Sequence, residues 1–189
     1  MKLLILDNYD SFTYNLVFMI RELGFENIKV VRNDQIELEE VDHFDKILLS
    51  PGPGLPNTAG IMKKLIASYA PSKSILGICL GHQGIGEVFG AKLFNLSKVL
   101  HGVAGNMVVV EPSEILFADL PANFKATHYH SWAIKSENLP ADLNVTIRND
   151  DEMIMGISHV KYDVKGLQFH PESVLTEHGS KMLNNWLKS

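Results

Sequence analysis

Short apolar runs alternating with segments of helical periodicity fill the first half of the chain, and few folds accommodate that alternation. Leu3 to Leu6, Ile28 to Val31, Ile47 to Leu49 and Ser74 to Ile78 are largely apolar and too short for helices, as strands buried on both faces are. After the first run, Phe12, Leu16, Ile20 and Leu23 recur at helical spacing, with Asp10 or Ser11 as a cap and Gly24 as a stop. A second helix is predicted from about Ala59 to Tyr69, before Pro71, and a third from Cys79 to near Gly90. The pattern predicts an α/β fold: a mostly parallel central sheet with helices on both faces. From Met107 to His170 the character changes. Met107 to Val110, Asn144 to Arg148, Met153 to Ser158 and Lys165 to Phe169 read as added, largely antiparallel strands around the end of the sheet. A last helix, about Glu177 to Leu187, offers Met182, Leu183 and Trp186 for packing.

With 189 residues, one domain spanning 1–189 is expected. Hydrophobic residues at 46% and charged residues at 21% exclude a disordered chain. A formal net charge of −5 leaves no basic excess to neutralise phosphates, so no nucleic-acid partner is expected. No apolar stretch reaches the roughly 20 residues of a membrane helix, and none is expected. The opening apolar run stops at Asp7, too short for a secretory signal. One cysteine permits no internal disulfide, and a cytoplasmic location is the expectation.

That cysteine lies in Gly77-Ile78-Cys79-Leu80-Gly81, a Gly-x-nucleophile-x-Gly frame between an apolar strand and a helix. A lone cysteine is most often a small buried apolar residue. Glycines two positions away on each side, at a strand end, reverse that reading. A sharp strand-to-helix turn needs neighbours without a Cβ. A helix N-terminus stabilises a thiolate, and the next N–H, that of Leu80, points where an oxyanion would form.

A cysteine nucleophile needs a base, and eight histidines are available. His170-Pro171-Glu172 follows the strand-like Gly166-Leu167-Gln168-Phe169. Glu172, two residues on, can hold one imidazole nitrogen and leave the other facing the thiol, the logic of a triad with an acidic third member. His82 belongs to the helix after the turn and is expected to pack there. His128 and His130 share one face of a strand, so a metal site with His170 and Glu172 is an alternative. His43, His159 and His178 sit among polar residues and read as surface. A second rigid loop, Ser50-Pro51-Gly52-Pro53-Gly54-Leu55-Pro56, lacks the ending and spacing of nucleotide fingerprints. It suits presenting an N–H to an oxyanion, or is an ordinary turn.

With these residues in place, the chain resembles the class I glutamine amidotransferases, in the family of anthranilate synthase component II and the aminodeoxychorismate synthase glutaminase. Five ordered stretches carry the resemblance: Asp7 to Asn15, Ser50 to Pro56, Gly77 to Gln83, Tyr129-His130-Ser131 and Gly166 to Ser173. The resemblance implies a flavodoxin-like α/β fold and glutamine hydrolysis to glutamate and ammonia. It implies Cys79 as nucleophile, His170 as base and Glu172 as its orienter, with Gly52 and Leu80 as oxyanion donors. Gly54, Gln83, Tyr129, Ser131 and Trp132 would hold glutamine. It implies no cofactor and no metal. The partner it implies is a chorismate-using synthase, either anthranilate synthase component I or aminodeoxychorismate synthase component I. The first is preferred by family frequency, and one glutaminase shared by both pathways is also compatible. The chain departs from the family pattern at Val103 and Ala104, where Lys and a hydroxyl residue are usual, and at Trp132, where a smaller aliphatic is common. Gly84 and Gly86 inside a helix each cost about 1 kcal/mol relative to alanine, which close packing against the sheet would offset.

Overall fold

Five strands lie parallel in the sheet. They are β1 (Leu3–Asp7), β2 (Ile28–Arg32), β3 (Lys46–Leu49), β4 (Ser74–Ile78) and β9 (Val164–Leu167), in the spatial order β2-β1-β3-β4-β9. Four are buried on both faces, whereas β2, at the sheet edge, is half-exposed, contrary to the expectation for Ile28 to Val31. The computed structural model describes the backbone of residues 1–189 and the side chains of all but 98–100. Beyond β9 the sheet continues antiparallel through β8 (Ile154–His159), β7 (Leu143–Asn149), β5 (Leu93–Val109) and β6 (Asn123–Ile134), making nine strands in one sheet.

Side-chain alternation divides the core into two layers. Leu3, Ile5, Leu48, Leu76 and Ile78 face a cluster with Leu16, Val17 and Ile20 of helix α1 (Thr13–Glu22) and Met182, Leu183 and Trp186 of helix α4 (Gly179–Lys188). Leu4, Leu6, Ile47, Leu49 and Ile75 face the opposite cluster with Met62, Leu65 and Ile66 of α2 (Met62–Tyr69) and Leu80 and Ile85 of α3 (Leu80–Val88). Helices thus cover both faces, and the parallel strands inward of β2 have no solvated side to make polar. Among the described residues, no helix is long and apolar enough to cross a membrane.

The expected architecture is observed, with local corrections. Lys165 to Phe169 belongs to the parallel centre: β9 pairs parallel with β4 and antiparallel only with β8. The two longest strands, β5 and β6, are anticipated only in Met107 to Val110 and in the strand face shared by His128 and His130; they pair with each other over most of their length. At α1 neither Asp10 nor Ser11 occupies the cap position, which falls on Phe12 without a side-chain bond. Asp10 instead accepts from the Phe12 N–H at 2.7 Å, closing a turn just ahead of the helix. Phe12 is exposed rather than on the core face. Gly86 does pack tightly against the sheet, since a Cβ there would lie 2.5 Å from the Ile134 side chain. Gly84 meets Met62 of α2 instead.

Trp186 ties the last helix to the sheet. It is fully buried, and its indole N–H donates to Ser74 Oγ at 3.0 Å, at the start of β4. Trp186→Ala should therefore destabilise the chain by about 3–5 kcal/mol, read as a lowered urea or guanidinium midpoint. An unchanged midpoint would show that α4 contributes little to the core.

Candidate active site

Strand β4 ends at Cys79, whose backbone takes φ 51° and ψ −99°, a conformation that side chains rarely adopt. A turn this sharp brings Gly77 against Gly81, where a Cβ on Gly77 would come within 2.5 Å of the Gly81 carbonyl carbon. A Cβ on Gly81 would lie 2.6 Å from the Leu49 carbonyl oxygen of β3. The frame around the cysteine therefore excludes side chains at both glycines for contact reasons. Such backbone strain costs about 1–3 kcal/mol and persists only where the surroundings over-determine it. Here the Cys79 N–H donates to Leu167 O at 2.8 Å, and Gln83 N–H donates to Cys79 O at 3.0 Å. Only 6% of Cys79 is exposed, yet it lines two adjoining cavities.

Because β9 is the hydrogen-bonded neighbour of β4, the chain leaving β9 brings His170 to the same end of the sheet. His170 N–H donates to Thr127 O at 3.3 Å, and Thr176 Oγ1 donates to His170 O at 2.7 Å, so its backbone is held from β6 and from the loop after it. His170 Nδ1 lies 2.6 Å from Glu172 Oε1, and both residues are buried. This leaves Nε2 without a hydrogen-bond partner among the described residues, in a site where Cys79 is its electrostatic neighbour.

Electrostatics separate this histidine from the others. Burial alone would push His170 down, but Cys79 and Glu172 outweigh it and raise the pKa to about 10. Burial pushes His82 down to about 3 and, aided by His128, His130 down to about 4. His128 is lowered too, by burial first and then by His170. His82 is fully buried in α3, where its ring leaves no room for a Cβ on Gly166. His128 Nδ1 and His130 Nε2 bond each other at 3.1 Å, and His130 Nδ1 bonds Trp132 O at 2.9 Å. Among the described residues, no group of three or more His, Cys, Asp or Glu is arranged to hold a metal ion. His43 and His178 are exposed, but His159 is half-buried, stacked on Tyr162 at 4.5 Å and tilted against Phe89 at 4.4 Å.

A cavity of about 170 Å³ opens beside the sulfur, lined by Gly52, Pro53, Gly54, Cys79, Leu80, Gln83, Tyr129, His130, Ser131 and Trp132. Every residue expected to hold glutamine or an oxyanion is among these. As the first residue of α3, Leu80 has an N–H with no acceptor inside the helix. Gly52 sits where a Cβ would lie 2.4 Å from Asn8 O, so the loop can approach only as glycine. Tyr129 turns its ring edge to His170, with centroids 5.0 Å apart, and also touches Phe12 and His101 at the mouth. Of Trp132, the backbone carbonyl is the polar group in use: it accepts from Gln83 Nε2 at 2.9 Å.

Two parts of the site escape the sequence reading. Asn8 N–H donates to Ser50 Oγ, and Asn8 Nδ2 to Ser50 O, both at 2.8 Å, clamping the Pro-Gly loop to the end of β1. Gln168 is fully buried, with Nε2 3.6 Å from the Cys79 sulfur and Oε1 3.2 Å from Gln83 Nε2. A buried amide in the otherwise apolar run ahead of His170 was the available signal.

Comparison with known proteins bears on the chain as a whole. Over 190 residues, 43% are identical to an anthranilate synthase component 2 of Porphyra purpurea, covering 99% of both chains. The bifunctional protein TrpGD of Thermotoga maritima is 40% identical over 98% of this chain, which spans 32% of that longer protein. A crystal structure of a Thermoplasma acidophilum protein, provisionally assigned to GMP synthase, superposes with a TM-score of 0.88 at 29% identity, covering 100% of this chain and 92% of that one. The sequence profile described as glutamine amidotransferase class-I matches residues 4–189, and the chain belongs to that family of enzymes.

Proposed function

We propose that this chain is the glutaminase subunit of an anthranilate synthase, hydrolysing L-glutamine and passing the ammonia to a chorismate-using component I. The observation that carries the chemistry is the raised His170 beside Cys79, bonded at its far nitrogen to Glu172. An imidazolium favoured at neutral pH is the partner a thiolate needs. Cys79 Sγ attacks the carboxamide carbon of glutamine. The oxyanion that develops meets the N–H groups of Gly52 and Leu80. His170 Nε2 gives its proton to the nitrogen as the C–N bond breaks, releasing ammonia and leaving a glutamyl thioester. Water, its proton taken by His170, then cleaves the thioester to glutamate and restores the thiolate beside a protonated His170.

Substrate orientation follows from the hydrogen-bond inventory. Gln83 Nε2 is already engaged with Trp132 O and Gln168 Oε1, so its carbonyl oxygen is the group left for glutamine. An acceptor lining this cavity suits the α-ammonium group. Gly54, with φ 77°, Tyr129 and Ser131 complete the walls. No cofactor or metal is needed for these steps. The relatives named anthranilate synthase component 2 support the choice of acceptor. An aminodeoxychorismate synthase component I, or a role serving both pathways, is the alternative. The cytoplasm is the proposed location.

Cys79→Ala should abolish glutamine-dependent anthranilate formation with component I and leave formation from ammonium salts intact. Loss of both activities together would make Cys79 structural. His170→Ala should lower glutaminase kcat by about 10²–10⁴-fold, and Glu172→Gln by less, because an orienter acts through the base. The reverse order would overturn those roles. The raised His170 pKa means that the proton donor persists below about pH 10 and is lost above it. Glutaminase rate should therefore fall as pH rises through about 10. In Glu172→Gln that alkaline limb should move to lower pH, since a carboxylate that raises the pKa is gone; a pH–rate profile measures both.

A further inference from the structure

The side-chain amides beside the sulfur are oriented by one backbone carbonyl. Trp132 O can only accept, so the Gln83 atom 2.9 Å from it must be the amide nitrogen. That same nitrogen lies 3.2 Å from Gln168, whose facing atom must then be the amide oxygen. This leaves Gln168 Nε2, and not its oxygen, 3.6 Å from Cys79 Sγ. Trp132 O also receives His130 Nδ1 at 2.9 Å, which makes the other His130 nitrogen the acceptor and His128 Nδ1 the donor to it. The whole run of polar groups therefore has one consistent direction.

We propose that Gln168 is a further catalytic residue: its amide N–H donates to the Cys79 sulfur and favours the thiolate, and Gln83 and the Trp132 carbonyl lock it in that orientation. The inference rests on Cys79 being the nucleophile. Gln168 is fully buried, so the N–H facing the sulfur has no water to turn to, and a sulfur that carries charge is a better acceptor than a thiol. A reversed amide would set a carbonyl oxygen against the sulfur and penalise the same charge. Gln83 thus connects the glutamine cavity to the nucleophile: an ammonium group drawing on Gln83 Oε1 polarises the amide whose N–H holds Gln168. The titratable groups around the sulfur are His170 and Glu172 after β9, Tyr9 and Asp10 after β1, His101 on β5, and Tyr129 and His130 on β6. Gln168 acts beside them without titrating.

The test measures Cys79 alkylation by iodoacetamide against pH, with peptide mapping, in wild type, Gln168→Leu and Gln168→Glu. The pH at half-maximal rate should rise by about one to two units in Gln168→Leu and further in Gln168→Glu, the order set by losing a donor and then adding a negative charge. Glutaminase kcat in Gln168→Leu should fall about 10- to 100-fold with KM little changed. An unchanged alkylation midpoint in a folded variant would overturn the proposal, whatever happened to kcat. On the wild-type protein, the Gln168 side-chain amide resonances should shift with the same midpoint as alkylation; resonances indifferent to it would also overturn the proposal. Wild-type Cys79 that iodoacetamide never labels would instead sink the nucleophile reading itself.

Discussion

The strained turn at Cys79 is the constraint on which the rest of the site depends. A positive φ on a residue with a side chain is tolerated only because β4, α3 and β9 hold it from three sides. Those contacts require bare backbone at Gly77 and Gly81. They also require a buried parallel strand on each side of β4, so that the turn rests on elements that do not yield. The arrangement explains why the sheet is most apolar where the chemistry is most polar. The side chains packed under the turn, among them Leu76, Ile78 and Phe169, are fully buried.

Polar groups near the sulfur divide by what burial does to them. His82, His128 and His130 lose their charge to desolvation and serve as neutral hydrogen-bonding or packing groups. His170 is buried to a similar degree, yet moves in the opposite direction because it alone has Glu172 and the sulfur as partners. Burial therefore does not single out the proposed base, and partnership does.

Much of this was legible in the sequence because it is local. The four leading strands show as apolar runs, and the turn shows as two glycines around a cysteine. Glu172 shows as an acid two residues past a histidine. What escaped is long-range. β5 reads as polar and glycine-containing through Asn95, Ser97, His101 and Gly102, and becomes a strand by pairing with β6 and, at its end, with β7. In β6 the core-facing positions include His128 and His130, so the usual alternation of apolar and polar residues is masked. Gln168 and Asn8 matter through partners 85 and 42 residues away, and no spacing rule reaches so far.

The ladder between β4 and β9 has a consequence for how such a chain can change over time. Ile78 stands opposite Leu167, and the residues proposed as nucleophile and base follow soon after that pair. Their separation is set by strand register and hardly at all by the roughly 90 residues that intervene. Insertions and deletions in the turns between β5 and β8 can accumulate without disturbing the reacting atoms. The turns of the antiparallel wing are free to diversify, while the β6 residues that hold His170 and line the cavity are not.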